Sequence, residues 1–447
     1  MADVTSNNAA VPQIGSPSQQ PDLARANQLG PLARFLRATE IDARMLGMVA
    51  ALLIIWLGIH ALSGGTFLTS RNLWNLSVQF ASIAVMATGM VLVIVTRNID
   101  LSVGSILGVT GMVMAVIQAW YLVPAFGASP AVWILTLLAG LALGAAIGAA
   151  QGFVIAYMGV PSFIVTLGGL LVWRGMAWWV ATGQTIALPD RTFRLIGGGA
   201  EGAIGATASW VLAIIACAAV LLFTLNARRQ RRRFHFPLKP VWAEVFVAGA
   251  ACVAILGATY VINQYTLPPA LARRYAEANG IPVPESGLLI SFGYAVPVLI
   301  AVAVGIAMTF LTNRTRFGRY VFAIGGNPEA ADLAGINTKR VTMLVFSLMG
   351  LLAAIGAAIS AARLTSATNA LGTLDELYTI AAAVIGGTSL AGGAGTIAGA
   401  MLGALVMQSL QSGMVLLGLD TPLQNIIVGV VLVFAVWLDT IYRRRVG

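Results

Sequence analysis

The sequence predicts an all-α protein, a polytopic transmembrane helical bundle with an internal repeat and with cytoplasmic N- and C-termini. Hydrophobic residues make up 58% of the chain and charged residues only 9%, against roughly 25% charged residues in soluble domains. Apolar stretches of about 20 residues recur along the chain, and each is long enough to cross a bilayer. Such stretches must form helices, since the hydrocarbon offers their backbone groups no water.

Residues 1–40 are rich in Asn, Gln, Ser and Pro. They lack the apolar region of a signal peptide, so we expect a disordered cytoplasmic tail. A first membrane unit at 41–204 is followed by an inserted pair of spans at 205–265 with a basic cytoplasmic loop. A second membrane unit at 266–447 contains a long polar loop at 313–340. About 12 spans are predicted: 45–62, 76–96, 104–124, 130–157, 161–182, 209–225, 241–262, 288–312, 341–362, 375–392, 395–417 and 421–441.

The distribution of basic residues supports this topology. With both termini inside, 19 of the 26 lysines and arginines lie in cytoplasmic segments, as the positive-inside rule requires. The net charge of +10 is therefore a topological signal. The densest run, at 228–233, indicates retention at the cytoplasmic face with attraction to anionic lipid, and no nucleic-acid binding is expected.

Signatures of catalysis are sparse in this chain. It has two histidines and two cysteines, without metal-ligand spacing, so no catalytic residue, metal site or cofactor is expected. It also lacks a P-loop sequence. Few ionisable residues lie within the spans, Arg174 being the clearest, and no acidic proton relay is evident. These observations argue against a membrane enzyme and against an ion-coupled carrier.

Glycines recur at close-packing spacing, as at Gly140, Gly144, Gly148 and Gly152. Glycines four residues apart share a helix face and allow two helices to approach closely. Packing within the chain is the simpler interpretation, and a dimer interface is the alternative.

Two Gly-flanked polar breaks, at 94–104 and 384–395, resemble each other and suggest a duplicated unit, whose orientation the sequence leaves open. Broken helices at corresponding positions point to a transport pathway. The candidate pathway residues are Asn98, Asp100, Ser102, Thr388 and Ser389. In the alternative interpretation, Asp100 and Ser102 merely cap a helix.

The polar loop contains a small helix with its own start and stop signals. Asn327 is expected to cap its N-terminus and Pro328 to occupy its first position. Glu329 lies in the first turn, where negative charge is favourable, and Gly335 is expected to end the helix. Alanines keep one face slim enough to enter a groove on a partner. These are Ala330, Ala331 and Ala334.

The sequence Glu329-Ala330-Ala331-x-x-x-Gly335 resembles the coupling motif of ABC importer permeases. The preceding segment 316–327, including Gly325, resembles the ribose/xylose-type sugar permeases. So do three further blocks in family order, at 99–104, 161–168 and 386–393. Ribose-type permeases usually lack the insertion at 205–265, and the longer architecture is similar to the xylose-transport permeases.

The resemblance implies a permease subunit of an ABC importer in the bacterial inner membrane, translocating a pentose, with xylose favoured. It implies that cytoplasmic ATP-binding subunits bind the ATP, that a periplasmic sugar-binding protein delivers the sugar, and that two permeases form a homodimer in the lipid membrane. The coupling residues would be Gly325, Asn327, Pro328, Glu329, Ala330, Ala331 and Gly335. An ion-coupled secondary sugar transporter is the alternative.

Overall fold

The computed structural model describes residues 31–278, 280, 282 and 288–446. Their regular structure is almost entirely helical. In chain order the helices are α1 (Pro31–Thr39), α2 (Ala43–Leu62), α3 (Ser70–Val95), α4 (Val103–Val116, continued by a π-helical segment Ile117–Leu122), α5 (Val123–Phe126), α6 (Pro130–Tyr157), α7 (Ser162–Val180), α8 (Arg191–Leu195), α9 (Gly205–Arg233), α10 (Val241–Asn263), α11 (Pro269–Ala278), α12 (Val296–Arg314), α13 (Arg316–Gly326), α14 (Pro328–Leu333), α15 (Thr338–Leu364), α16 (Asp375–Ile385), α17 (Ile397–Leu416) and α18 (Thr421–Val446).

Among the described residues, β pairing consists of one short pair of strands and two isolated bridges. Strand β1 (Ile186–Ala187) pairs antiparallel with β2 (Ser366–Ala367). Ten helices in the described part of the chain are long and apolar enough to cross a membrane. A further apolar stretch, Thr421–Phe434, opens α18. The predicted all-α membrane bundle is thus confirmed, while the sidedness of the termini and the internal repeat stay predictions.

One predicted span is wrong as a continuous helix. Instead of 375–392, only Asp375–Ile385 is helical, and 11 residues extend about 16 Å. Residues 368–374 precede it without regular structure, and both Gly372 and Leu374 have positive φ. The crossing is therefore discontinuous, an irregular segment followed by a half-length helix. Hydrophobicity did not reveal where the helix ends, because the glycine-rich segment 386–392 follows the apolar helix without an intervening charged residue.

The predicted disordered tail also requires correction at its end, since Pro31–Thr39 form a helix; residues 1–30 lie outside the described part. Glu40, which follows α1, accepts hydrogen bonds from Arg231 at 2.8 and 2.7 Å and pairs with Lys239 at 3.0 Å. Hydrogen bonds from Arg231 and then Lys239 lower the pKa of Glu40 to about 2. The contact is thus fully present above pH 4.5 and lost only as the pH falls towards 2.

Helix α3 forms the centre of the bundle. Its residues from Ala81 to Val95 are all buried, and it packs against α10, α12, α15, α16 and α17. Helices α9 and α10 pack mainly on each other, and apart from the basic end of α9 their remaining surfaces are largely exposed and apolar. An apolar exposed surface suits a helix that faces lipid, so the inserted pair lies at the periphery.

The glycine ladder of α6 packs within the chain. Gly144 and Gly148 lie against the backbone carbonyls of Gly350 and Phe346 on α15, so closely that a Cβ at either glycine would overlap them. Helices α6 and α15 form the most extensive helix pair in the structure. The interpretation as intramolecular packing is therefore confirmed for this face.

Substitution of Gly148 by Val should destabilise the bundle by about 1–3 kcal/mol, the usual cost of overpacking a close contact. We expect a lower melting temperature and a smaller folded fraction in detergent. Gly168→Val is the matched control, since a Cβ at Gly168 meets open space. Equal melting temperatures for the two variants would contradict the assigned contact.

Candidate functional site

Helix α14 has the start and the stop that the sequence predicts. The Asn327 side chain accepts a hydrogen bond from the Ala330 amide at 3.0 Å, and Pro328 occupies the first helical position. Gly335 follows the helix in the left-handed conformation at φ 80°. The Ile336 amide then donates to the Ala331 carbonyl at 3.1 Å, which closes the helix end.

The two faces of α14 differ in exposure. Ala331 packs into the bundle with 5% exposure, whereas Glu329 and Ala330 are exposed. Leu333 projects outward and is 90% exposed. A fully exposed leucine next to small residues gives the helix an apolar contact surface that the chain itself does not cover.

The segment that precedes α14 is tied to both polar breaks. The Arg97 guanidinium donates to the carbonyls of Gly325 at 2.9 Å and Gly326 at 2.7 Å. The Gly393 amide donates to the Val95 carbonyl at 3.0 Å. A Cβ at Gly325 would overlap both the Val95 carbonyl oxygen and the Gly393 nitrogen. We call this meeting point of 95–97, 325–326 and 392–393 the coupling junction.

The first break contains a buried polar cluster. Asp100 is 1% exposed, and its carboxylate accepts hydrogen bonds from the Ser102 amide at 2.8 Å and the Ser102 hydroxyl at 2.6 Å. The Ser102 hydroxyl also lies 3.0 Å from Gln151 Oε1. Ser102 stands at the start of α4 without capping it through its side chain. Asn98 bonds locally, to Thr96.

The second break forms a compact turn. Thr388 and Ser389 are both buried, and the Ser389 amide donates to the Ala394 carbonyl at 2.8 Å. Gly392 lies against the Arg97 side chain. The structure thus brings the two breaks together at the coupling junction. Their role in a pathway stays a prediction.

Three polar residues at or near the first break were not assigned to this site from the sequence. Gln151 reaches Ser102 from α6. Glu376, at the start of α16, lies against Gly104, and its Oε2 has no hydrogen-bond partner among the described residues. Arg174 donates hydrogen bonds to the carbonyls of Leu371 at 2.7 Å and Gly372 at 3.1 Å. These two carbonyls belong to the irregular segment before α16, so no helix supplies their hydrogen-bond donors. The signal in the sequence that could have identified these three residues is a polar side chain within an otherwise apolar segment.

Two cavities border the opposite half of α3. The larger, of about 580 Å³, lies among Trp74, Asn75, Arg191, Glu201 and Arg363. The smaller has a volume of about 130 Å³. It is lined by Gln79, Ser82, Ser360, Arg363, Asp375, Gln408 and Gln411, among others. None of the five candidate pathway residues lines either cavity.

Comparison with known proteins places this geometry in context. Residues 72–229 and 242–436 match a family described as branched-chain amino acid transport system / permease component. The chain is 35% identical over 406 residues to the xylose transport system permease protein XylH of Escherichia coli K12, covering 91% of this chain and 94% of that protein.

The XylH protein of Haemophilus influenzae is likewise 35% identical over 406 residues, covering 91% of this chain and 98% of that one. The ribose import permease protein RbsC of Escherichia coli K12 is 33% identical over 387 residues, covering 87% and 91%. No solved structure matches the chain significantly.

Proposed function

Because the chain belongs to the branched-chain amino acid transport system / permease component family, we propose that it is the membrane-spanning subunit of an ATP-driven importer for a pentose, with xylose favoured. The preference for xylose as the substrate rests on the similarity to xylose permeases. The xylose permease is 35% identical and covers 91% of this chain, whereas the ribose permease is 33% identical and covers 87%. The family consists of transport permeases of the inner membrane, so the chain is a multi-pass transport protein and not an enzyme.

The importer that we propose contains two copies of this chain, two cytoplasmic ATP-binding subunits and a periplasmic sugar-binding protein. The ATP-binding subunits hold the nucleotide, and this chain carries no cofactor of its own. The capped helix α14, with Leu333 projecting outward, supports a contact with the ATP-binding subunit. A short helix that presents one apolar side chain fits a groove on a partner.

Coupling in this proposal passes from α14 to the coupling junction. A push on α14 reaches Gly325 and Gly326 directly, since helix α13 ends there and the next residue caps α14. Arg97 holds both carbonyls, so the movement is passed to the start of the first break. The Gly393 amide is hydrogen-bonded to the Val95 carbonyl, so the second break moves together with the first.

Asp100, Ser102, Thr388 and Ser389 hold a gate at this end of the bundle in our proposal. Their burial and the tight packing at Gly325 support a closed state here, while the larger cavity lies at the opposite end of α3. Glu376 Oε2 and Thr388 Oγ1 are buried without partners among the described residues. Unpaired buried polar groups are costly, so we expect them to gain partners when the gate opens.

Uptake of labelled xylose in a strain that lacks this chain tests the substrate. We expect the plasmid-borne chain to restore uptake, with unlabelled xylose competing more strongly than ribose or arabinose. ATP depletion should stop the uptake, and collapse of the ion gradients at constant ATP should not. Stronger competition by ribose would overturn the substrate, and sensitivity to the gradients alone would favour an ion-coupled secondary carrier.

Substitution of Leu333 by Glu should release the ATP-binding subunits. A charge at the centre of a desolvated contact costs on the order of 2 kcal/mol or more, so we expect at least about tenfold less ATPase subunit to copurify from detergent. Leu289→Glu is the control, since Leu289 is also strongly exposed, at 84%, but lies outside α14. Equal copurification for both variants would contradict the docking surface.

The exposed Glu329 gives a second test of the same helix. Glu329→Ala should leave the protein inserted in the membrane but lower xylose uptake relative to ATP hydrolysis, because the first-turn charge that α14 presents is lost. Uptake and hydrolysis should be measured on the same proteoliposomes. An unchanged ratio between them would show that Glu329 takes no part in coupling.

A further inference from the structure

The inserted pair of helices contains a cavity that the transport proposal does not use. It has a volume of about 320 Å³ and lies where α9 ends and α10 begins. Its walls include Phe223, Ala227, Arg228, Arg231, Lys239 and Val247. The acid Glu244 also lines it, so basic and apolar residues share one small cavity with a single carboxylate.

The basic side of the cavity is held in place by ion pairs. Arg228 pairs with Glu244 at 2.6 Å and also donates to the Lys239 carbonyl at 3.3 Å. Arg231 and Lys239 converge on Glu40 from the end of α1. The positions of the cations are thus fixed before a ligand arrives, which lowers the entropic cost of binding.

These basic groups outnumber the acids. Segment 228–239 carries the basic residues Arg228, Arg229, Arg231, Arg232, Arg233 and Lys239. The acids that pair with them are Glu40 and Glu244. Of these basic residues only Arg228, Arg231 and Lys239 line the cavity, so three cations face two acids there. The local excess of one positive charge favours an anion, and the guanidinium groups suit a phosphate.

The other side of the cavity is apolar and continues along the outer surface of the helices. Phe223 is 75% exposed and Val247 is 39% exposed, on the two helices that contribute to the cavity. Helix α1 covers the neighbouring part of α10, where Phe35 packs edge-on against Phe246 at 5.3 Å. The cavity therefore lies at the level where an apolar span meets its basic flank, which is the depth of lipid headgroups.

We propose that this cavity binds the headgroup of an anionic phospholipid, with the phosphate beside Arg228, Arg231 and Lys239 and an acyl chain along Phe223 and Val247. A free phosphate ion would explain the cations but would leave the apolar wall without a function. A zwitterionic lipid would fit the wall but would place its choline or ammonium group among arginines. Glu40 already joins the end of α1 to Arg231 and Lys239, and the phosphate would share these two cations with it.

Native mass spectrometry of the full chain in detergent tests this site. The probes are phosphatidylglycerol, phosphatidylcholine with the same acyl chains, and inorganic phosphate. We expect a retained phosphatidylglycerol adduct that phosphatidylcholine does not form and that millimolar phosphate does not displace. Equal retention of both lipids would overturn the proposal, and displacement by phosphate would show a simple anion site instead.

Two neighbouring arginines provide matched variants. Arg231→Gln removes a cation that lines the cavity, and Arg232→Gln removes the same charge from a residue that does not line it. We expect Arg231→Gln to weaken phosphatidylglycerol binding about fivefold more than Arg232→Gln. Ala227→Trp should also reduce binding by filling the cavity without changing any charge.

Equal effects of Arg231→Gln and Arg232→Gln would overturn the site and leave only diffuse attraction. Unreduced binding to a folded Ala227→Trp chain would do the same. Circular dichroism of each variant confirms that the helices are intact. Because lipid adducts are measured without sugar or ATP, the result is independent of the transport proposal.

Discussion

Substitution of Gly325 by Ala is expected to reduce xylose uptake at least about tenfold. The added methyl group would overlap the Val95 carbonyl oxygen and the Gly393 nitrogen, and both are backbone atoms that cannot rotate away. Overpacking of this kind usually costs about 1–3 kcal/mol, and each 1.4 kcal/mol corresponds to a factor of ten. The coupling junction would have to separate, so ATP hydrolysis would no longer move the two breaks together.

The adjacent glycine supplies the control for this variant. Gly326 has open space where its Cβ would lie, so Gly326→Ala adds the same methyl group one residue later without a clash. Uptake by this variant should be near normal, with equal amounts of both proteins in the membrane. Similar uptake by the Gly325 and Gly326 variants would contradict the close approach on which the coupling junction rests.

Arg97→Asn is expected to separate ATP hydrolysis from uptake. The substitution removes the hydrogen bonds to Gly325 and Gly326. Bonds from a charged donor contribute about 1.5–3 kcal/mol each when buried and less at an exposed site such as that of Arg97. Arg97 has a φ of 63°, and asparagine is one of the few residues that tolerates this region. We therefore expect intact folding, continued hydrolysis and at least about tenfold less uptake in proteoliposomes.

Arg97→Lys distinguishes the shape of the guanidinium group from its charge. Lysine keeps the positive charge but lacks the planar fork that reaches two carbonyls, so uptake should lie between those of the wild type and of Arg97→Asn. Full activity of the lysine variant would show that charge alone suffices at this position. Full activity of Arg97→Asn would remove Arg97 from the coupling route.

Most of the membrane architecture could be predicted from the sequence, because hydrophobic length is a strong signal. The span predicted at 130–157 coincides with the helix Pro130–Tyr157, and the capping residues of α14 are where the side chains predict them. The prediction failed for the span at 375–392, of which only the first 11 residues are helical. Residues 365–374 and 386–392, which flank the half-length helix, contain glycines and a leucine with positive φ, so neither continues the helix.

The candidate site could be predicted only in part. Motif spacing located Asp100, Ser102 and the residues of α14, because these lie in short local patterns. The link from Arg97 to Gly325 joins residues 228 positions apart, and no local pattern encodes such a contact. Gln151 was missed for the same reason, since its partner Ser102 lies 49 residues away.

The enclosure of α3 has a consequence for how the protein is made. Helices α12, α15, α16 and α17 all contact α3, yet they leave the ribosome more than 200 residues after it. During synthesis, α3 must first lie among lipid tails and the helices made before α12, which its apolar surface allows. Only after the second half of the chain has been inserted can α3 exchange lipid for protein on every side. The last step of assembly is therefore a rearrangement within the bilayer, and a chain truncated before α12 would leave its future core exposed to the membrane.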